Sequence, residues 1–323
     1  MKIRILAVCL FAFVISSTAS AAEKLIIADQ YGLSYLLFVV AKEKKLIENQ
    51  AKADGFDVEV EWGQVPGGAE ITAAILSGSI DIGAGGIAPV LTMWDKTSGA
   101  SSIKAIMALS AAPSLLVTNR PDIKTVKDFK ASDRIAVPGV KISGQARYLQ
   151  LAAVKAFGKE NWQKLDDLTV SMAHPEAANA LISGKTEIVA HMSSAPFQNE
   201  ELNHPGLHVV FSSYDVLGQG ATTAVAFTSE KFRTGKPAVY AAFVKAINQA
   251  SEFVKENPQE SALIFKKATK SKMSAEEILA IMNDKDYTFD TKPKHTFELA
   301  SFLYEVGSIK KKPNSEQDYF FSN

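Results

Sequence analysis

Six short segments of this chain, four of them containing glycine, between them carry hydroxyl, amide and imidazole side chains, and none has the spacing of a catalytic motif. Four stand where an apolar run gives way to helical periodicity: Gln30-Tyr31-Gly32-Leu33-Ser34-Tyr35, Pro66-Gly67-Gly68-Ala69, Gly139-Val140-Lys141-Ile142-Ser143-Gly144-Gln145 and His174-Pro175-Glu176. Two more follow short apolar strands: Gly85-Gly86-Ile87-Ala88-Pro89 and His191-Met192-Ser193-Ser194-Ala195-Pro196. A helix start carries unpaired N–H groups and a partial positive charge, and glycine lets a ligand come close to the backbone. Such segments suit a small anionic or zwitterionic ligand. The contact set expected from them is Gln30, Tyr31, Ser34, Tyr35, Gly67, Gly68, Gly85, Gly86, Ile87, Lys141, Ser143, Gln145, His174, His191 and Ser193. A single loop of this kind is better read as a tight turn, but six at equivalent places in a repeat favour a shared ligand.

Enzymatic readings find little support. There is no Gly-x-Ser-x-Gly elbow and no phosphate loop, Gly83-Ala84-Gly85-Gly86 lacks the dinucleotide spacing, and Gly218-x-Gly220 has Thr223 where a third glycine would stand. His204 and His208 are separated by Pro205-Gly206, which rules out a helical metal pair. His174 and His191 occupy equivalent post-strand places and are read as ligand donors rather than a catalytic pair. Glu70 and Glu176 lie in first helical turns, where dipole pairing accounts for them. Neither a metal nor a cofactor is expected.

The elements that must position these segments repeat. Ala74-Ile75-Leu76-Ser77-Gly78-Ser79-Ile80-Asp81-Ile82-Gly83-Ala84 and Ala180-Leu181-Ile182-Ser183-Gly184-Lys185-Thr186-Glu187-Ile188-Val189-Ala190 share one plan: helix end, Ser-Gly stop, short strand. Around them, residues 25–84 and 134–190 both run strand, helix, strand, helix, strand. Strands are expected at Leu25–Ala28, Val58–Trp62, Ile80–Ile82, Arg134–Val137, Leu168–Val170 and Glu187–Ala190. Strand–helix alternation implies mostly parallel sheets flanked by helices, and two such lobes imply a cleft in which a ligand binds. Beyond residue 237 the pattern is helical, with Ser274-x-x-Glu277 as a capping box.

Lys2 and Arg4, the eleven apolar residues Ile5–Ile15 and Ala19-x-Ala21 read as a cleavable signal peptide over residues 1–21. The apolar run is too short to span a bilayer. Cys9, the only cysteine, falls inside it, so the mature chain has no thiol for a disulfide, a zinc–thiolate site or a nucleophile. The whole chain balances 35 basic against 35 acidic residues, and loss of Lys2 and Arg4 leaves −2, which gives no footing for nucleic acid. Lys310-Lys311-Lys312 reads as a solvated run.

The mature chain resembles the periplasmic solute-binding proteins of nitrate/sulfonate/taurine-type ABC importers, including their thiamine-precursor-binding-like members. The resemblance is carried by Gly67-Gly68 with Ala73–Gly83, by Gly86-Ile87-Ala88-Pro89, by Ile135–Pro138 with Ser143, by Ala177–Gly184 and by Gly307-x-Ile309-Lys310-Lys311-Lys312-Pro313. It implies an α/β, two-lobed type II binding-protein fold with two chain crossings, near Ser110–Pro113 and Ser213–Thr222. Lobe 1 would then comprise 22–110 and 214–323, and lobe 2 would comprise 111–213. It further implies a periplasmic, monomeric protein that captures a small organic anion and passes it to a membrane permease and its ATPase, with a chemoreceptor as the alternative partner. A sulfonate such as an alkanesulfonate or taurine is the expected ligand, with Lys141, Ser143 and Gln145 on its head group and Tyr31 and Tyr35 on its tail. A thiamine-precursor pyrimidine or an aromatic acid is the alternative. A pyrimidine-synthase-like enzyme is disfavoured, because those enzymes use a cysteine-rich motif.

Overall fold

The structure, a computed structural model, describes residues 22–65 and 67–322. The expected signal peptide with Cys9, and Pro66, lie outside the described residues. Ten strands are described: β1 (Glu23–Asp29), β2 (Val58–Gln64), β3 (Ile82–Gly86), β4 (Ile103–Ala111), β5 (Leu115–Thr118), β6 (Arg134–Val137), β7 (Thr169–Ser171), β8 (Ile188–Ser193), β9 (His208–Ser212) and β10 (Thr222–Ser229). They form two sheets of five, ordered β2-β1-β3-β10-β4 and β7-β6-β8-β5-β9. In each sheet four strands run one way and one is reversed: β10 is antiparallel to β3 and β4, and β5 to β8 and β9. The reversed strand is each time the first one made after the chain passes from one sheet to the other, once between β4 and β5 and once between β9 and β10.

The repeat is therefore topological as well as sequential. Helices Gly68–Ser77 and His174–Ser183 both end on a left-handed glycine, Gly78 at φ 74° and Gly184 at φ 61°. Each glycine N–H donates to carbonyls of the last turn, Ala74 and Ile75 in one, Ala180 and Leu181 in the other. Those carbonyls would otherwise lack partners. The hydroxyls of Ser77 and Ser183 donate to the Ala74 and Ala180 carbonyls at 3.0 and 2.9 Å.

Two strands begin and end later than their apolar runs suggest. The expected Ile80–Ile82 strand is Ile82–Gly86, and the expected Glu187–Ala190 strand extends to Ser193. Gly85, Gly86, His191 and Ser193 thus lie within strands and not in post-strand loops. The reason is pairing: Gly85 and Gly86 face Val225 and Ala224 of β10, and His191 and Ser193 face Val117 and Leu115 of β5, so backbone bonding continues past the aliphatic residues.

Packing is built on long apolar stripes. Helix Leu36–Glu43 buries six consecutive residues, Leu36 to Ala41. It lies against helix Pro237–Glu256, whose Val239, Phe243, Ala246, Ile247 and Ala250 are all inaccessible. Phe38 packs edge-on to Trp62 and Phe243, with centroids 5.7 and 5.8 Å apart. A second cluster runs without a break from helix Ile87–Lys96, beside the first sheet, to helix Gly144–Phe157, beside the second. The capping box at Ser274 and Glu277 is formed in both directions. Lys311 is not part of a solvated run: its ammonium donates to the Trp94 and Thr97 carbonyls at 2.7 and 2.6 Å, closing the C-terminal end of helix Ile87–Lys96. Among the described residues no helix is long and apolar enough to cross a membrane.

Candidate functional site

The carboxyl ends of β1, β3, β6 and β8 face one another across the boundary between the two sheets. A small chamber of about 40 Å³ lies there. From the first sheet come Gln30, Tyr31, Ser34, Tyr35, Gly86 and Pro89, and from the second Pro138, Ser143, Gly144, Gln145, Tyr148, His174 and Ser194. Ser114, Thr223 and Ala224, at the two passages between the sheets, complete the wall. Among the described residues lining it, none is Lys or Arg. A wider cavity of about 590 Å³ meets it at Gln30 and Tyr31 and is walled by Trp62, Phe197 and Phe265, with Asp29, Lys42 and Glu200 among its charged groups. Burial pushes the Asp29 carboxyl up to about 7, against the opposing pull of Lys42 and of its own hydrogen bonds.

Two helix N-termini meet at the chamber from opposite sides. Gly86 precedes helix Ile87–Lys96, and Ser143 caps helix Gly144–Phe157, its Oγ accepting the Ala146 N–H at 3.2 Å. A methyl group placed on Gly86 would stand only 3.6 Å from the Gly144 nitrogen. Helix His174–Ser183 adds a third N-terminus, with His174 its first residue. The sheets also touch directly: the Leu33 N–H donates to the Ala195 carbonyl at 2.8 Å, and a methyl on Gly67 would fall 2.6 Å from the Pro138 carbonyl oxygen.

Of the expected contact set, the chamber brings together Gln30, Tyr31, Ser34, Tyr35, Gly86, Ser143, Gln145 and His174. The others stand behind or beside it. Gly67 abuts Pro138, and Gly68 begins its helix. Gly85 lies behind Gln30, whose Nε2 a methyl there would meet at 2.8 Å and which instead reaches the Ala84 carbonyl at 3.3 Å. The Ile87 side chain is buried in the core between the sheets. Lys141 is exposed, with φ 64°, and does not line the chamber.

His191 and Ser193 are wholly buried behind His174. The connection is a chain of contacts: Gln145 Nε2 lies 3.3 Å from His174 Nε2, His174 Nδ1 lies 2.8 Å from His191 Nε2, and His191 Nδ1 lies 2.5 Å from Glu201 Oε1. Burial holds the His174 ring well below the usual imidazole range, with His191 adding to the effect, and takes His191 to about 3, so both rings are neutral. Burial raises Glu201 to about 8, against a smaller opposing pull from the Ser193 hydroxyl. His174 also stacks on Phe197, with centroids 5.8 Å apart.

The chain's sequence meets known proteins at one family. The profile of the NMT1/THI5-like family matches residues 38–261. The chain belongs to that family. No curated protein sequence matches it. Among solved structures, this NMT1/THI5-like chain is similar to the periplasmic aliphatic sulphonate binding protein SsuA from Escherichia coli, at 20% identity and a TM-score of 0.66 over 93% of this chain and 98% of that one. It is similar to the alkanesulfonate-binding protein SsuA from Xanthomonas axonopodis pv. citri bound to MOPS, at 19% identity and a TM-score of 0.70 over 90% and 96% of the two chains. The periplasmic nitrate-binding protein NrtA from Synechocystis PCC 6803 matches at 13% identity and a TM-score of 0.71 over 93% and 84%. These likenesses establish the two-lobed binding-protein fold.

Proposed function

We propose that this chain is the solute-binding component of an ABC import system, and that it takes a small organic anion of the sulfonate type into the chamber between its sheets. The observation that carries the reading is the meeting of two helix N-termini at Gly86 and Gly144 with no basic side chain between them. Each terminus carries roughly half a positive charge. Two such ends facing each other repel, and an anion between them turns that repulsion into attraction. The hydroxyls of Ser34, Ser114, Ser143 and Thr223 would surround the head group. The wider cavity beyond Tyr31, with Trp62 and Phe265, would take an organic tail. Two of the structural neighbours are named as sulfonate binders and one as a nitrate binder, and an organic tail suits the first pair.

A binder is favoured over an enzyme because both nitrogens of His174, the imidazole at the chamber, are already engaged, with Gln145 and His191. The partners would be a membrane permease and its ATPase, and the working place the periplasm, reached through the leader at residues 1–21. A second reading has one observation in its favour: Tyr31, Tyr35 and Tyr148 line the same chamber, which would suit a pyrimidine or an aromatic acid. A thermal-shift series with ethanesulfonate, taurine, nitrate, a thiamine-precursor pyrimidine and benzoate separates them. The expected outcome is a melting point that climbs with sulfonate concentration by mass action. A rise with the pyrimidine or benzoate alone would overturn the sulfonate assignment.

A further inference from the structure

The buried file Gln145–His174–His191–Glu201 has a direction. A neutral imidazole donates from one nitrogen and accepts at the other. If Glu201 is ionised, it accepts from His191 Nδ1–H, His191 Nε2 accepts from His174 Nδ1–H, and His174 Nε2 accepts from the Gln145 NH2. The Gln145 carbonyl oxygen then faces the chamber. If the Glu201–His191 pair holds one more proton, every bond reverses: His191 Nε2–H donates to His174 Nδ1, His174 Nε2–H donates to Gln145, and the Gln145 amide turns its oxygen inward and its NH2 to the chamber. The extra proton rests on the Glu201 carboxyl, which donates to His191 Nδ1, so both rings stay neutral in either state. The two amide orientations have the same heavy-atom shape, so the turn needs no rearrangement of the wall.

We propose that Glu201 and His191 are positioning residues that decide, through His174, which end of the Gln145 amide faces the ligand, a donor when the pair is protonated and an acceptor when it is not. The proposal rests on the anion reading of the chamber, because the donor end is the one that serves an anion. Geometry supports a protonated pair at neutral pH. Glu201 and His191 have no exposure, and neither Glu201 Oε2 nor the nearby Ser193 Oγ makes a hydrogen bond, so an ionised carboxylate there would have the His191 bond and only a smaller pull from the Ser193 hydroxyl. Burial raises the Glu201 carboxyl accordingly.

The groups that face it are few. His191 and Ser193 come from β8, His174 from its own helix start, and Leu115–Thr118 of β5 brings none that titrates. Glu200, next along helix Phe197–Leu202, is raised by burial and feels the charges of Lys272, Glu201, Glu277 and His204, so it is a charged neighbour of Glu201 that any test must keep in place. Asp29, at about 7, is the other group near the chamber that titrates close to neutrality, and it must be separated in any test.

The test uses the full mature protein and two readings. The first needs no ligand: nitrogen NMR of the two imidazoles across about pH 6 to about 9.5, which distinguishes Nε2–H from Nδ1–H tautomers. Both rings are expected to carry Nε2–H at the low end and to switch together to Nδ1–H at the high end, with no switch in Glu201→Gln. Rings that keep one tautomer throughout, or that titrate singly to imidazolium, would overturn the proposal even if the variant does not fold, since wild type alone gives that answer. The second is calorimetry with ethanesulfonate. Affinity should fall about tenfold or more through the tautomer transition, and Glu201→Gln should lose that step while keeping any step due to Asp29. A tautomer switch with unchanged ethanesulfonate affinity would overturn the link to the ligand. A switch with no ethanesulfonate binding at any pH would instead defeat the sulfonate reading and leave the relay standing.

Discussion

Glu201 ionises at about 8 in the folded chain against an ordinary value of 4.5, so the folded state holds its proton more tightly than the unfolded state does. Its contribution is full below 4.5 and is lost as pH rises toward 8. Asp29 behaves likewise between 3.8 and about 7. His174 and His191 have the opposite sign: both are depressed from 6.5, so they contribute above 6.5 and lose stability as pH falls below it. Between about 4.5 and 6.5 the four slopes oppose one another, and above 6.5 only the carboxyls act. A melting-temperature profile should therefore be flat over the acidic plateau and fall toward pH 8, by up to about 1.4 kcal/mol per unit for each carboxyl. Glu201→Gln should flatten part of that fall, and a profile indifferent to the substitution would contradict the assignment. Equivalent positions in the repeat placed His174 and His191 together in the sequence, but they did not reveal Glu201. Asn199-Glu200-Glu201 has the polarity of a solvated turn, and burial of its third member comes from the packing of a short helix against helix His174–Ser183 and β5. Tyr148 could have been found, being one helical turn beyond Gly144.

At the scale of elements, the Ser-Gly stops were legible because a left-handed residue after a helix has a strong chemical preference for glycine. Gly78 and Gly184 sit at φ 74° and 61°, where a Cβ is strained by roughly 1–2 kcal/mol. Neither has a close steric neighbour, so strain alone should be measured. Gly78→Ala and Gly184→Ala should each lower unfolding free energy by about 1 kcal/mol. Their effects should add to within about 0.5 kcal/mol, because they belong to different sheets. Denaturant titration of both single variants and the double variant checks this, and a strongly non-additive double would show that the two glycine sites are energetically coupled, against this expectation. Strand ends were less legible. Ile82–Gly86 and Ile188–Ser193 continue through glycine, histidine and serine because β10 and β5 supply backbone partners, and those partners arrive from distant sequence. The same long-range supply hid Ser114 and Thr223, wall residues that become neighbours only where the chain passes between sheets.

For the whole molecule, contact between the sheets turns on small residues. Gly67 is extended, at φ −166°, a conformation open to any residue, so alanine there leaves its own lobe unstrained. Its Cβ would nonetheless stand 2.6 Å from the Pro138 carbonyl oxygen, a backbone atom of the opposite lobe that cannot move aside by a rotamer change. Gly67→Ala should thus penalise only the arrangement in which the lobes meet. On the proposed reading, a ligand held between the sheets favours the arrangement in which the lobes meet by its differential affinity for it, and any penalty on that arrangement appears as weaker apparent binding. Ethanesulfonate affinity should drop by about tenfold, while the melting temperature without ligand should change by no more than the ±0.5 kcal/mol equivalent typical of a neutral substitution. X-ray scattering of the loaded variant should give a larger radius of gyration than the loaded wild type. Gly83→Ala provides the contrast, since its Cβ would meet Phe227 at 2.8 Å inside one lobe. Overpacking there should lower stability by about 1–3 kcal/mol with little change in affinity. If instead Gly67→Ala bound ethanesulfonate as tightly as wild type, approach of the lobes at Pro138 would not be part of ligand capture, and the chamber would have to take its ligand with the lobes apart.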